Sequence, residues 1–440
     1  MQGVTLTFAV VGALCVLALP VRYAVIVYIG ALVWYPSYLA VSIGTVDFTL
    51  CRIVILVLYA KIFLTSDIVR AFQWNWLDAL VLLGWACQCV AGLITTDAGA
   101  LLENRAGAAF DTLLPYFAVR LTVRSRNDYL LLLRSLLVLA APLAIFGAYQ
   151  CLTGHNPLGF FSRYAFTGGS VSDRALAARR GLWRAEVTFP MSIMFGLFFA
   201  MMGPLCAGLW KFVRQKWALL TGLLLMVVGM MSSMSSGPWL AGIVAMAVIA
   251  AFPFRRYWKT FVGLLVVWLG AIDVASNRHW YDVLGSFTLA PRTAWYRVRL
   301  MEVALSGGMN DHWIAGFGLW QNPGWGPMID GRSHTDVVNA YLGVLVKFGL
   351  LGLIPFILTM GAAWARLRVA FSRAGSEADR WLVWGVCASL AGIAITMFSV
   401  SFFGQPLNLL FIVLGICGNA PILVGLGGPP FETRPLGTRC

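Results

Sequence analysis

The feature that most constrains this chain is a succession of apolar runs, most near twenty residues long, separated by short charged loops. A bilayer core is crossed by about 20 apolar residues of helix, whereas barrel strands need only about 10 residues of alternating character. Runs of the first kind satisfy their backbone N–H and C=O groups in lipid only as helices. The expected fold class is therefore all-α, a polytopic transmembrane helical bundle. Composition agrees: 60% of residues are hydrophobic and 11% charged, too few charges to cover a water-soluble globule.

Candidate spans fall at 4–19, 22–43, 50–65, 76–95, 106–122, 129–150, 188–210, 217–233, 238–253, 258–275, 338–365, 381–402 and 406–426. The first run, Val4 to Leu19, lacks a basic flank and a small-residue cleavage site, so it is expected to stay as a helix. Basic clusters occupy the short loops: Arg120/Arg124/Arg126, Lys211/Arg214/Lys216, Arg255/Arg256/Lys259 and Arg366/Arg368/Arg373/Arg380. If the intervening runs all span, these clusters share one face, which the positive-inside rule makes cytoplasmic. The N-terminus is then outside with thirteen spans, or inside with twelve if the opening pair is a hairpin. The organisation expected is N-terminal helices over 1–150, a first outer loop over 151–187, helices over 188–275, and a second outer loop over 276–336. Helices over 337–426 and a cytoplasmic tail over 427–440 complete it.

A net charge of +14 raises nucleic acid as a partner, but most cations sit in loops between spans, where topology explains them. Seven of the nine Cys (Cys15, Cys51, Cys87, Cys89, Cys206, Cys387 and Cys417) fall within apolar runs and read as small hydrophobes. Span-end Trp residues such as Trp34, Trp74 and Trp381 read as interfacial anchors. Ser232 to Gly237 reads as a small polar turn permitting close backbone approach.

The two long loops differ in chemistry from the rest of the chain. Their ten cations are all Arg (Arg163, Arg174, Arg179, Arg180, Arg184, Arg278, Arg292, Arg297, Arg299 and Arg332), and all four His, at 155, 279, 312 and 334, lie there too. Arg on the outer side needs a role other than topology, and its planar fork matches phosphate oxygens in a way a Lys point charge does not. The alternative is pairing with loop acids such as Asp173, Glu186, Glu302, Asp311, Asp330 and Asp336, which are fewer than the Arg. The excess favours anion binding.

The second loop concentrates the candidates. Ser333 three residues before Asp336 looks like a capping box that would start a helix near His334 and set its imidazole at a helix N-terminus, favouring a neutral base. A plain polar cap is the competing reading. Asn339, Gly343 and Lys347 follow four residues apart along one helix side. Arg292 and Arg299, seven apart, share a helical face that Arg297 does not. Gly316-Phe317-Gly318 is too short for a dinucleotide fingerprint and no phosphate-loop motif occurs. Trp320 and Trp325 either offer flat faces to sugars or wedge the loop against lipid.

The order Arg297, Gly316-x-Gly318, His334, Asn339-x-Tyr341-Leu342, Gly349-x-x-Gly352 resembles the bacterial superfamily of O-antigen ligases and O-unit or exopolysaccharide polymerases. Arg180-Gly181-x-x-Arg184 resembles its earlier outer-loop element, and 232–237 its small-residue turn, with Pro238 following and the usual Arg absent. Val338 stands where many members carry a His. The resemblance implies a GT-C-type glycosyltransferase of the bacterial inner membrane with its active site in the periplasm. The donor would be a glycan on undecaprenyl pyrophosphate and the acceptor a glycan or lipid-linked glycan. It further implies Arg297, with Arg180 or Arg184, on the pyrophosphate and His334 as base. Arg292, Arg299, Asn339, Trp320 and Trp325 would be substrate contacts, with no cofactor and no metal. Ligase and polymerase differ only in acceptor. Transport, the alternative of another class, would rely on mid-span charges, here Arg52, Asp78, Asp111, Arg134 and Lys347.

Overall fold

A computed structural model describes residues 2–43, 46–164, 178–179, 181–275, 291–320 and 322–425. The chain is helical almost throughout. In order, its helices are α1 (Gln2–Ala18), α2 (Val21–Trp34), α3 (Leu50–Leu64), α4 (Ser66–Arg70), α5 (Trp76–Thr95), α6 (Ala98–Asp111), α7 (Leu113–Thr122), α8 (Arg126–Thr153) and α9 (Ser192–Ala207). There follow α10 (Lys216–Ser232), α11 (Ser236–Ala250), α12 (Trp258–Ala275), α13 (Pro291–Val303), α14 (Gly326–Ile329), α15 (Ala340–Arg373), α16 (Glu377–Thr396), α17 (Gln405–Gly418) and α18 (Ala420–Leu423). Among the described residues, five helices are long and apolar enough to cross a membrane, or six if the pair at Ser236–Ala250 and Phe252–Leu264, bent by 83°, is one span.

Three expected spans are altered. The run 22–43 ends as a helix at Trp34, and an antiparallel hairpin follows, β1 (Ala40–Ile43) on β2 (Val46–Thr49), with Ala40 opposite Thr49. Pro36 lacks an amide to continue the helix, and β-branched residues recur over 41–49. The run 106–122 is split at Thr112, whose φ of −126° and ψ of −70° are not helical, into polar α6 and the ten-residue α7. The run 338–365 is interrupted at Gly349, described below.

Helix α9 is the core. It is hydrophobic all round and buried on nearly every side, as such a helix must be. Its Phe195 and Phe199 rings meet edge to face at 5.0 Å. Glycines on its neighbours let them close in: a Cβ on Gly147 of α8 would lie 2.4 Å from Phe195, and one on Gly229 of α10 would lie 2.5 Å from Phe199. Small residues at such crossings permit the close packing on which helix association in lipid depends.

The bundle has two chemically distinct ends. At one, Arg126 pairs with Asp379 at 2.9 Å, Arg366 donates to the Gly418 carbonyl at 3.0 Å, and Trp381 donates to the Ala207 carbonyl at 2.9 Å. Arg255 lies over the Phe252 ring, which packs on Trp381 at 4.8 Å. The four basic loop clusters therefore meet at this end. At the other, Ala185 N–H donates to Ser232 O at 3.0 Å, Thr188 to Val33 O at 2.6 Å, Thr396 to Gly237 O at 2.9 Å and Ala340 N–H to Met397 O at 2.7 Å. The first outer loop, the serine turn and the start of α15 are thus brought together.

Asp78, a residue read from sequence as a mid-span charge, sits instead in the first turn of α5, where it forms a capping box with Asn75. It accepts from Tyr116 Oη at 2.6 Å and from Arg120 Nε and Nη2 at 2.7 and 2.8 Å. Arg120 also donates to Asn419 and to the Gln73 carbonyl. Removing one member of such a buried pair strands the other charge, at a cost of about 3–5 kcal/mol. Asp78→Ala is expected to lower the melting temperature of the purified protein by roughly 10 °C. The double variant Asp78→Leu/Arg120→Met should melt higher than either single, as differential scanning fluorimetry would show; equal melting of Asp78→Ala and wild type would mean the pair stabilises nothing.

Candidate active site

The first outer loop is anchored before it presents any side chain. Helix α8 stops at Gly154, which takes the left-handed conformation (φ 74°) and lies under the Trp183 indole. Buried Gln150 accepts from the amides of Glu186 and Val187 at 3.0 and 2.9 Å. Arg179 and Leu182 exchange backbone hydrogen bonds of 2.8 and 3.1 Å around Gly181, whose φ of 81° suits glycine. Two non-glycine residues here, Val187 (φ 55°) and Met234 (φ 46°), are also left-handed, which is costly for a branched side chain and concentrates at functional sites.

This anchoring directs two arginines at the serine turn. Arg179 Nη1 donates to the Met234 carbonyl at 3.0 Å, and Arg184 Nη2 donates to Ser235 Oγ at 2.9 Å. A third, Arg297, comes from α13 in the second loop. It is 7% exposed, and its Nε, like that of Arg184, is buried with no hydrogen-bond partner. Burial, and then the nearby charge of Arg179, push the Arg297 guanidinium down to about 10. Burial also lowers Arg184, Arg179 adds to this, and Glu186 opposes it. Among the described residues none of the three forms an ion pair within 4 Å. Arg179 thus repels both of the others, and Arg184 and Arg297 carry unfilled buried donors, an arrangement whose chemistry suits an anion with several oxygens.

Two other loop arginines are paired with acids. Arg299 pairs with Glu302 at 2.8 Å and donates to the Met328 carbonyl, and Arg332 pairs with Asp330 at 3.1 Å. Arg180, and Arg292 beyond its backbone, lie outside the described residues. Sequence reasoning singled out Arg180 and passed over Arg179 and Ser235. The signal for Ser235 was present in a run of four serines inside an apolar chain; that for Arg179 was only the turn signal of Gly181.

The helix expected to begin near His334 does not. Helix α15 begins at Ala340, capped by Asn339, whose Oδ1 accepts from Leu342 N–H at 3.0 Å. The Asp336 amide, which a Ser333 cap would have used, donates instead to Tyr296 Oη at 2.9 Å. His334 is therefore exposed in a non-helical segment, ahead of α15 and not in its first turn. Asn339 is 3% exposed and its Nδ2 approaches Met301 Sδ at 3.5 Å, so its observed contacts are those of a cap. The two tryptophans separate: Trp325 is buried, edge to face on Phe317 and donating to the Gly308 carbonyl at 3.2 Å, whereas Trp320 is 73% exposed.

The glycines of the second loop join backbone to backbone. Gly349 (φ 61°, ψ −159°) breaks α15, and the segment 313–317 enters the break. Phe317 N–H donates to Val346 O at 2.7 Å, and Leu350 and Leu351 N–H donate to Trp313 and Ile314 O at 2.7 and 3.1 Å. A Cβ on Gly349 would lie 2.2 Å from Ile314 O, and one on Gly316 2.6 Å from the Lys347 carbonyl carbon. These bonds re-pair backbone groups that the interruption frees, which makes it tolerable within apolar surroundings.

Beside this break lies a cavity of about 970 Å³ between α5, α6 and α15, reached also by Trp320, Thr335, Asp336 and Asn339. Asn339, Gly343 and Lys347 line it together, as expected of one helix side. Neither a protein-family model nor a curated protein sequence matches the chain.

Proposed function

We propose that this chain is a membrane glycosyltransferase that moves a glycan from undecaprenyl pyrophosphate to an acceptor hydroxyl, in the manner of O-antigen ligases. The bundle would cross the bacterial inner membrane on its five or six long apolar helices together with four shorter ones, with both long loops in the periplasm. The observation that carries the reading is the convergence of Arg179, Arg184 and Arg297 from two separate loops, with no ion pair within 4 Å for any of the three among the described residues. These arginines would hold the pyrophosphate. The acceptor oxygen would attack the anomeric carbon, its proton passing to His334. The bond from that carbon to the pyrophosphate oxygen would break, releasing undecaprenyl pyrophosphate as an anion whose growing charge the guanidiniums stabilise. Repeat-unit polymerisation uses the same donor and the same step, with a second lipid-linked glycan as acceptor.

Transport of a lipid or polysaccharide is a second reading, favoured by the cavity. Arg52, Asp111 and Lys347 line it next to the interrupted α15, and such features mark substrate paths in transporters. Purified protein mixed with a lipid-linked oligosaccharide and an acceptor separates the readings. Transfer is expected without any nucleotide sugar, with one polyprenyl pyrophosphate released per glycosidic bond formed. Movement of the lipid-linked glycan across vesicles with no bond formed would replace the enzyme reading by transport.

A further inference from the structure

The cavity between α5, α6 and α15 holds cations that the donor site does not use. Arg105 of α6 is 8% exposed and lines it. Its Nε and Nη2 donate to Asn104 Oδ1 at 3.2 and 2.6 Å and its Nη1 to Gln88 Oε1 at 2.7 Å. A guanidinium carries five N–H donors, so two remain for a ligand. Its Cζ sits 4.7 Å from the Phe348 ring centroid, which fixes the plane of the fork. Lys347, one residue earlier on α15, opens into the same cavity with no hydrogen bond or ion pair of its own among the described residues, and Arg105 is the charge it senses. The acids of the cavity do not compensate them: Asp111 is taken by Arg52 at 3.0 Å, Asp47 accepts from Ser42 at 2.6 Å, Glu103 and Asp336 are exposed, and among the described residues no carboxylate lies within 4 Å of Arg105 or Lys347.

Two adjacent cations with no ion pair among the described residues, in a partly apolar space, ask for an anion, since leaving them unpaired is costly. The remaining walls include Val81, Val344, Phe356 and Leu410, so the space suits an amphiphile better than a free sugar. Thr335 and Asp336, next to His334, also line it, whereas Arg179, Arg184 and Arg297 do not. We propose that this cavity is a second anion site, in which Arg105 and Lys347 take the phosphate of a phosphate-bearing lipid, the acceptor substrate. The assignment to an acceptor rests on the glycosyltransferase reading; the lipid-phosphate site itself does not.

Trp85 and Trp320 line the cavity and report on it. The full chain, delipidated in a neutral detergent, would be titrated with farnesyl phosphate while tryptophan fluorescence is followed. Farnesol serves as the uncharged control and dihexanoyl phosphatidylglycerol as the membrane-lipid arm. Saturable quenching by farnesyl phosphate is expected in wild type and equally in Arg184→Ala/Arg297→Ala, which lacks the donor site. Lys347→Met should weaken it at least tenfold; Arg105→Gln should do likewise, and Lys347→Met carries the test if that buried variant does not fold. Preference for farnesyl phosphate over phosphatidylglycerol supports a polyprenyl-type acceptor, while the reverse supports the anion site but overturns its assignment to the acceptor. Unchanged affinity in Lys347→Met, or equal binding of farnesol, overturns the site. Absence of glycan transfer with phosphate binding intact would remove the enzyme reading and leave the site standing.

Discussion

Arg297→Lys is expected to lose glycan transfer by roughly a hundredfold to a thousandfold, the scale on which a single transition-state donor acts. The change keeps the charge and removes the fork. At this position that matters, because the Arg297 side chain is buried and its Nε already lacks a protein partner, so a lysine would bring one compact ammonium to a place shaped for a planar group. The melting temperature should stay within a few degrees of wild type, since Arg297 makes no ion pair among the described residues whose loss would unfold the loop. Arg299→Lys, two residues along the same helix, is the internal control. Arg299 is half-exposed and already paired with Glu302, and exposed pairs of this kind contribute about 0–1 kcal/mol, so transfer should barely change. Full activity in Arg297→Lys, in Arg184→Lys and in their double variant would leave no bidentate clamp to explain.

His334→Ala should reduce turnover by about a hundredfold or more, the usual loss when a general base is removed, with donor binding intact. His334→Gln, which hydrogen-bonds but does not accept a proton in this range, should be nearly as poor. The contrast between the two variants is informative because the imidazole stands on an exposed segment whose backbone is held by others: Asn322 accepts from the Thr335 amide at 3.2 Å and donates to the Ser333 carbonyl. Neither variant therefore disturbs the path of the chain. If the His334→Gln enzyme turned over at the wild-type rate, the acceptor's proton would have to go elsewhere.

Much of the architecture was legible in the amino-acid order because apolar runs in lipid have only one way to satisfy their backbone. The helices over 76–95, 126–153 and 377–396 agree with that rule, and the basic loops gather at one end. The excess of Arg over Lys in the long loops was likewise legible before any geometry was known, and it is the sequence ground of the proposed anion site. What the order of residues did not determine was which arginines remain free. Helical periodicity placed Arg297 on a different face from Arg292 and Arg299, but periodicity does not say which face is covered; the packing of α13 buries Arg297 and leaves Arg299 beside Glu302. The start of α15 was decided in the same way. The local signal at Ser333 and Asp336 lost to Tyr296, some forty residues away, which took the amide a cap would have needed. The cavity is the clearest case, since Arg105 and Lys347 are separated by most of the chain and no local pattern links them. Only the entry of segment 313–317 into the break at Gly349, and the packing of α5 against α15, set those two cations side by side with no carboxylate within 4 Å of either among the described residues, because long-range contacts follow from mutual burial and not from spacing along the chain.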